Sequence, residues 1–161
     1  MGNTKPYVVD NSDFNSEENK QIIIEGIDFI RFYADQYHHA KEEKILFNYL
    51  DENLEILKVM HEDHKKARMH VKIILDAVKL GDSDEVIKHL KGYREILTEH
   101  INKEDKILYP LIDRKLSTTQ IGKLFSKFND VDQQFGDAPK KYEEFINKLE
   151  NKFKIKEETI K

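Results

Sequence analysis

With 161 residues and 19.1 kDa the chain is long enough for one domain with a real core. Charged residues make up 36% of it, against roughly a quarter in an average soluble domain, and this surplus fits amphipathic helices with charged outer faces. The net charge of -4, with 27 basic residues interleaved among 31 acids, argues against nucleic-acid binding, and the absence of cysteine excludes disulfides, thiolate metal sites and a cysteine nucleophile.

Residues 1–15 have no helical period and carry Gly2, Pro6 and several Asn and Asp, so an extended arm is expected, followed by a single helical domain over 16–156. No basic start leads into an apolar run, and no apolar stretch approaches the ~20 residues that span a bilayer, so a cytoplasmic protein with no membrane contact is expected. Ser16 is placed to cap a first helix running to about Leu50, with Ile24, Ile27, Ile30, Ala34, His38, Glu42, Ile45, Leu46 and Tyr49 along one stripe. After a turn at Asp51 to Asn53, a second helix returns antiparallel from about Leu54 to Leu80, with Leu57, Met60, His64, Ala67, Val71, Leu75 and Val78 inward. Gly81 ends it. Asp82 and Ser83 cap a third helix from about Asp84 to Leu111, whose stripe includes Tyr93, His100, Glu104, Ile107, Leu108 and Leu111, and Pro110 is expected to distort or end it. Ser117 and Gln120 form a capping box for a short fourth helix to about Asn129, and a last helix is expected over about Lys140 to Phe153. The fold class is therefore all-α: an antiparallel helical bundle of three long helices plus two short C-terminal ones.

A short internal repeat carries the chemistry. His38-His39-Ala40-Lys41-Glu42-Glu43-Lys44-Ile45-Leu46-Phe47 aligns without gaps on His100-Ile101-Asn102-Lys103-Glu104-Asp105-Lys106-Ile107-Leu108-Tyr109. A four-residue spacing puts His and Glu on one helix face, about 40° apart, and in both copies that face is the apolar stripe. Burying two carboxylates costs on the order of several kcal/mol each unless a cation compensates, and no stripe Lys or Arg is placed to do so. A metal is the natural compensation. The second helix adds His64, so His38, Glu42, His64, His100 and Glu104 converge, with His61 and Asp105 as further candidates. Nitrogen and carboxylate donors without sulfur suit iron, manganese or zinc, and two bridging carboxylates favour a dinuclear centre. The repeat aligns His38, not His39, with His100, and α-helical geometry turns His39 about 100° away, toward a helix flank. His70 and His89 are read as packing residues, and Tyr93 and Tyr109 as core aromatics within hydrogen-bonding reach of the site. His61-Glu62-Asp63-His64 differs from the zinc-protease HExxH helix by one residue of spacing, and the Glu-x-x-His of ferritin-like di-iron bundles does not occur.

The stretches ADQYHHAKEEKILF (34–47), VMHEDHKKAR (59–68) and LTEHINKEDKILYPLID (97–113) resemble the hemerythrin-like, or HHE cation-binding, family, matching its HHxKEE, M-x-x-(E/D)-H and HIxKE(D/N)xLxP elements in order. The resemblance runs from about residue 25 to 155. It implies His38, His64 and His100 as terminal nitrogen ligands and Glu42 and Glu104 as bridging carboxylates, with Asp105 the alternative to Glu104. It also implies two irons, oxo- or hydroxo-bridged, with Mn or Zn as alternatives, and a role in binding or sensing dioxygen, nitric oxide or another diatomic ligand, or in handling iron. A di-iron oxidase or peroxidase, and a metal-poor dimerisation module, are the alternative readings. Family members usually begin with a further helix that supplies another iron ligand, whereas residues 1–37 here contain no histidine. The site is therefore expected to lack a nitrogen, to be replaced by His61, a second chain or water, and a homodimer is expected to cover the flank left by that helix.

Overall fold

In the computed structural model the backbone is described over residues 16–159 and the side chains over 16–151; the arm expected over 1–15 lies outside the described residues. Ser16 caps α1 (Glu17–Phe29) by accepting from the Asn19 amide at 3.2 Å, and Glu17 and Glu18 sit at the positive end of the helix. The rod continues without a break through a π-helix, π1 (Ile30–His39), into α2 (Ala40–Lys44), and closes with a 3-10 turn at Leu46–Tyr49. Next come α3 (Glu55–Leu80) and α4 (Ser83–Lys103), joined at Gly81, whose φ of 71° is the left-handed conformation that lets the chain reverse in two residues. A second π segment, π2 (Glu104–Leu108), carries α4 into α5 (Tyr109–Lys115). Pro110 lies inside this continuous rod and does not end it. The π turn just before it has already left the i→i+4 ladder in which a proline is disruptive: the Tyr109 amide bonds back five residues to Glu104.

Both halves of the Ser117–Gln120 capping box form, at 2.9 and 3.3 Å, and open α6 (Thr118–Phe135). The last helix is α7 (Ala138–Thr159). These two helices, of 18 and 22 residues, are longer than the sequence suggests. Aromatic packing reaches past the expected end of α6 at about Asn129: Phe135 meets Phe32 and Tyr37 edge-on at 5.3 Å, and on α7 Tyr142 stacks on Phe32 at 4.6 Å. Tyr37 also donates to Asp132 at 2.6 Å, and the Lys41 ammonium binds the same carboxylate.

Cross-links fix the directions. Asp35 meets Arg68 and Glu43 meets His64, so the first rod runs antiparallel to α3; His70 meets His89 and Asp63 meets Lys103, so α3 runs antiparallel to α4. No strand occurs among the described residues, and none of their helices is long and apolar enough to cross a membrane. The core is in two parts. One gathers Ile23, Ile27, Val71, Ile74, Val86 and Tyr93; the other gathers Phe47, Met60, Leu108, Ile112 and Leu124. Each fully buried side chain such as Met60, Ile74 or Leu108 stabilises the fold by roughly 1.5–3 kcal/mol. Between the two parts along α3 lies a buried polar layer at Asp63 and His64.

Candidate metal centre

Each rod brings its share of the polar layer. His38 and His39 end π1, Glu42 lies on α2, Asp63 and His64 sit at mid-α3, His100 near the end of α4, and Glu104 opens π2. His39, Glu42, His64, His100 and Glu104 are all at most 4% exposed, while His38 is half-exposed. Their ligating atoms fall into two groups, each within 4.8 Å: His39, His64 and His100, and His38, Glu42 and Glu104. The carboxylates straddle both groups. Glu42 reaches His38 Nε2 at 3.3 Å, His64 Nε2 at 3.0 Å and His100 Nε2 at 3.8 Å; Glu104 reaches His100 Nε2 at 2.9 Å and His38 Nε2 at 3.9 Å. All five residues singled out by the repeat and the α3 stripe are thus brought together.

The electrostatics of this layer are those of a cation site. Both Glu42 oxygens, Glu104 Oε1 and His39 Nδ1 are buried without a hydrogen-bond partner of acceptable geometry. Such atoms cost free energy unless something else satisfies them. Burial pushes the Glu42 carboxyl up, but the His100, His38 and His64 imidazoles beside it prevail and hold it below the usual carboxylate range. Glu104 and Glu42 raise His38 to about 9, and the same two carboxylates overcome burial to raise His100 to about 10. Burial, reinforced by neighbouring His64, lowers His39 to about 3, so His39 stays neutral, the form that ligates a metal. Without metal, protons on His38 and His100 compensate the buried carboxylates; a divalent cation would take over that charge and displace those protons. The donor set of imidazole nitrogen and carboxylate oxygen fits iron, manganese or zinc.

A second ring of charges surrounds the imidazoles and orients those of His64 and His100. His64 Nδ1 lies 2.7 Å from Glu43, which Arg68 Nη2 holds at 3.0 Å. His100 Nδ1 lies 3.4 Å from Asp63, held in turn by Lys103 Nζ at 2.8 Å. His39 Nδ1 faces Asp35 at 3.9 Å, and Asp35 accepts from Arg68 Nε at 2.6 Å. A carboxylate only accepts, so Glu43 holds the hydrogen of His64 on Nδ1 and turns the Nε2 lone pair to the centre, as outer-shell partners of metal-bound histidines do. Asp63 and Glu43 stand in the matched motifs at the (E/D) of M-x-x-(E/D)-H and the last E of HHxKEE but were not singled out, whereas Asp35 and Arg68 carried no signal beyond the general abundance of charge.

Two expectations differ from the structure. His39 does not face a flank; it is buried and stacks on His64 with ring centroids 4.0 Å apart. An i→i+5 ladder winds by less than the 100° per residue of an α-helix, and over π1 the deficit turns His39 inward; the Ala40 amide bonds back five residues to Asp35. The His-His pair in the sequence was the available signal. His61 is exposed, its ring edge-on to Phe47 at 5.1 Å, and it belongs to neither donor group. His39 brings a fourth imidazole into the cluster, beside His38, His64 and His100. Of the pair Glu104 and Asp105, the structure buries Glu104 and exposes Asp105. Tyr109 is partly exposed; burial first, then nearby Glu104, push its phenol up and keep it protonated beside that carboxylate.

The sequence profile of the Hemerythrin HHE cation binding domain matches residues 12–112. The chain belongs to this family. The matched span contains every donor of the HHE centre and ends within α5, so α6 and α7 lie beyond it. No curated protein and no solved structure matches the chain significantly. Cation binding by this HHE domain therefore rests on the family and on the buried His and Glu cluster together.

Proposed function

We propose that this HHE domain holds a dinuclear non-haem iron centre and uses it to bind or sense dioxygen or nitric oxide. The observation that carries the reading is the pairing of donor groups: two sets of three donors, with Glu42 and Glu104 facing histidines of both sets. His39, His64 and His100 would hold one ion, His38 the other, and the two carboxylates would be shared. Iron so held would supply redox-active coordination positions for a diatomic ligand.

The chain's own part is to orient, shield and give access. Glu43 and Asp63 fix the His64 and His100 rings, and the two apolar cores close the polar layer from both ends of the bundle. A cleft of about 340 Å³ leads to His39, walled by Ile30, Ala67, Val71, Leu75 and Tyr93, with Arg31, Arg68 and Lys72 among its lining residues. It is apolar enough to favour an uncharged diatomic and small for a protein ligand site. The test is anaerobic reconstitution with ferrous iron and then addition of dioxygen or nitric oxide, read by optical spectroscopy. A spectral change that reverses when the gas is removed is expected. No change with either gas contradicts the proposal, and catalytic consumption of peroxide with a reductant would favour the oxidase or peroxidase reading instead.

A further inference from the structure

The cleft that leads to His39 carries charges that the passage of a diatomic does not need. Along α3 it is lined by Ala67, Val71 and Leu75, spaced four residues apart and so on one face. Arg68 and Lys72 stand one position further round that helix, about 100° toward solvent. Arg68 is engaged, holding Asp35 at 2.6 Å and Glu43 at 3.0 Å, so the acid of the lining is already neutralised. Arg31 and Lys72, both exposed, make no ion pair among the described residues. The fold nevertheless brings them to one level. The first rod and α3 run antiparallel with Asp35 on Arg68, and Arg31 and Lys72 each stand four residues from that link in the same direction. Two uncompensated cations thus face each other across the cleft, on a chain whose net charge is -4.

Tyr93 adds an independent feature at the inner end. It is 7% exposed, it lines the cleft, and its hydroxyl has no hydrogen-bond partner among the described residues. Burial first, then Asp35, push the phenol up to about 12, so it stays an O–H donor. Tyr93 follows His89 by four residues, and His89 meets His70, so on the antiparallel α4 it stands opposite about Ala67. That is roughly 6–8 Å along the bundle from Lys72.

We propose that this cleft binds a small organic carboxylate with an apolar body, its carboxylate between Arg31 and Lys72 and a hydroxyl at its far end on Tyr93. A para-hydroxylated benzoic acid has this form, with the two polar groups at opposite ends of a rigid apolar ring. A volume of about 340 Å³ lies at the lower end of the range for small-molecule sites, which suits a ligand of one ring. The carboxylate supplies the charge that Arg31 and Lys72 lack, the ring covers Val71 and Leu75, and the hydroxyl satisfies Tyr93. Binding needs no metal, so this inference and the proposed iron centre fail separately.

The metal-free 161-residue chain is titrated by calorimetry with para-hydroxybenzoate, with benzoate and with the neutral para-hydroxybenzamide. One equivalent of para-hydroxybenzoate should bind, and the amide at least tenfold more weakly. Arg31→Gln/Lys72→Gln should weaken para-hydroxybenzoate at least tenfold. Tyr93→Phe should weaken it about three- to tenfold and erase its advantage over benzoate. Circular dichroism checks that each variant keeps its helices; the exposed pair supplies the test should Tyr93→Phe not fold. No saturable binding of para-hydroxybenzoate, an amide bound as tightly as the acid, or an affinity unchanged in either folded variant overturns the proposal.

Discussion

His39 separates the account of the metal centre most sharply from a reading based on α-helical period. It is buried, neutral and stacked on His64, with its Nδ1 unpartnered. His39→Ala should remove one of two metal equivalents, whereas His61→Ala should leave metal content unchanged, both measured by elemental mass spectrometry; equal effects would contradict the assignment. Protonation gives a second prediction. His38 and His100 have folded values of about 9 and 10, above the ordinary 6.5, so their stabilisation of the metal-free chain is complete below 6.5 and is lost as pH rises through 9 to 10. His39, at about 3, refuses a proton that the unfolded chain accepts, so it costs stability as pH falls from 6.5 toward 3. Thermal melts of metal-free protein should therefore peak near pH 6.5 and fall on both sides, with His38 contributing the smaller share because solvent screens a half-exposed group. Metal affinity should rise over pH 6.5–9 as the competing protons leave; a flat profile for both quantities contradicts the assignment. The repeat made His38, Glu42, His100 and Glu104 legible because four-residue spacing survives local changes of winding. Asp63 was hidden behind the more conspicuous histidines of its own motif.

At the scale of elements, the two π segments explain most of the differences between expectation and structure. From the end of π2 onward the buried positions are Leu108, Ile112 and Leu116, while Ile107 is 49% exposed, because the wider turn rotates the side chains along the rest of the rod. On the first rod, Ile23 lies inside and Ile24, expected on the stripe, is 44% exposed. A hydrophobic period read at 3.6 residues per turn cannot register such a change of winding. Helix starts were legible where a side chain performs the capping: Ser16, Asp82 and Ser117 each accept from an amide three residues on. Ser117→Ala should cost about 1 kcal/mol in urea unfolding, since it opens the box at the head of α6. A change below about 0.3 kcal/mol would mean that tertiary packing alone holds this end. The length of α6 was not legible, because Phe135, past the expected end at about Asn129, packs on Phe32 and Tyr37 of the first rod, about a hundred positions away in sequence.

Across the whole molecule, the polar layer interrupts what would otherwise be one continuous core. The bundle tolerates it because apolar packing at both ends, around Ile74 and around Met60 and Leu108, holds the rods while both Glu42 oxygens and Glu104 Oε1 in the layer lack hydrogen-bond partners. Fold class and antiparallel order were legible in the sequence, since amphipathic stripes and short turns leave few other arrangements. Four imidazoles and two shared carboxylates are proposed to hold a pair of metal ions. The decisive measurement is the iron-to-protein ratio of the 161-residue chain reconstituted anaerobically with ferrous iron and desalted, beside the Glu42→Ala/Glu104→Ala double variant. About two irons per chain, lost in the double variant, is the expected result. No iron in the unaltered chain, or the same iron content in both proteins, would contradict the claim.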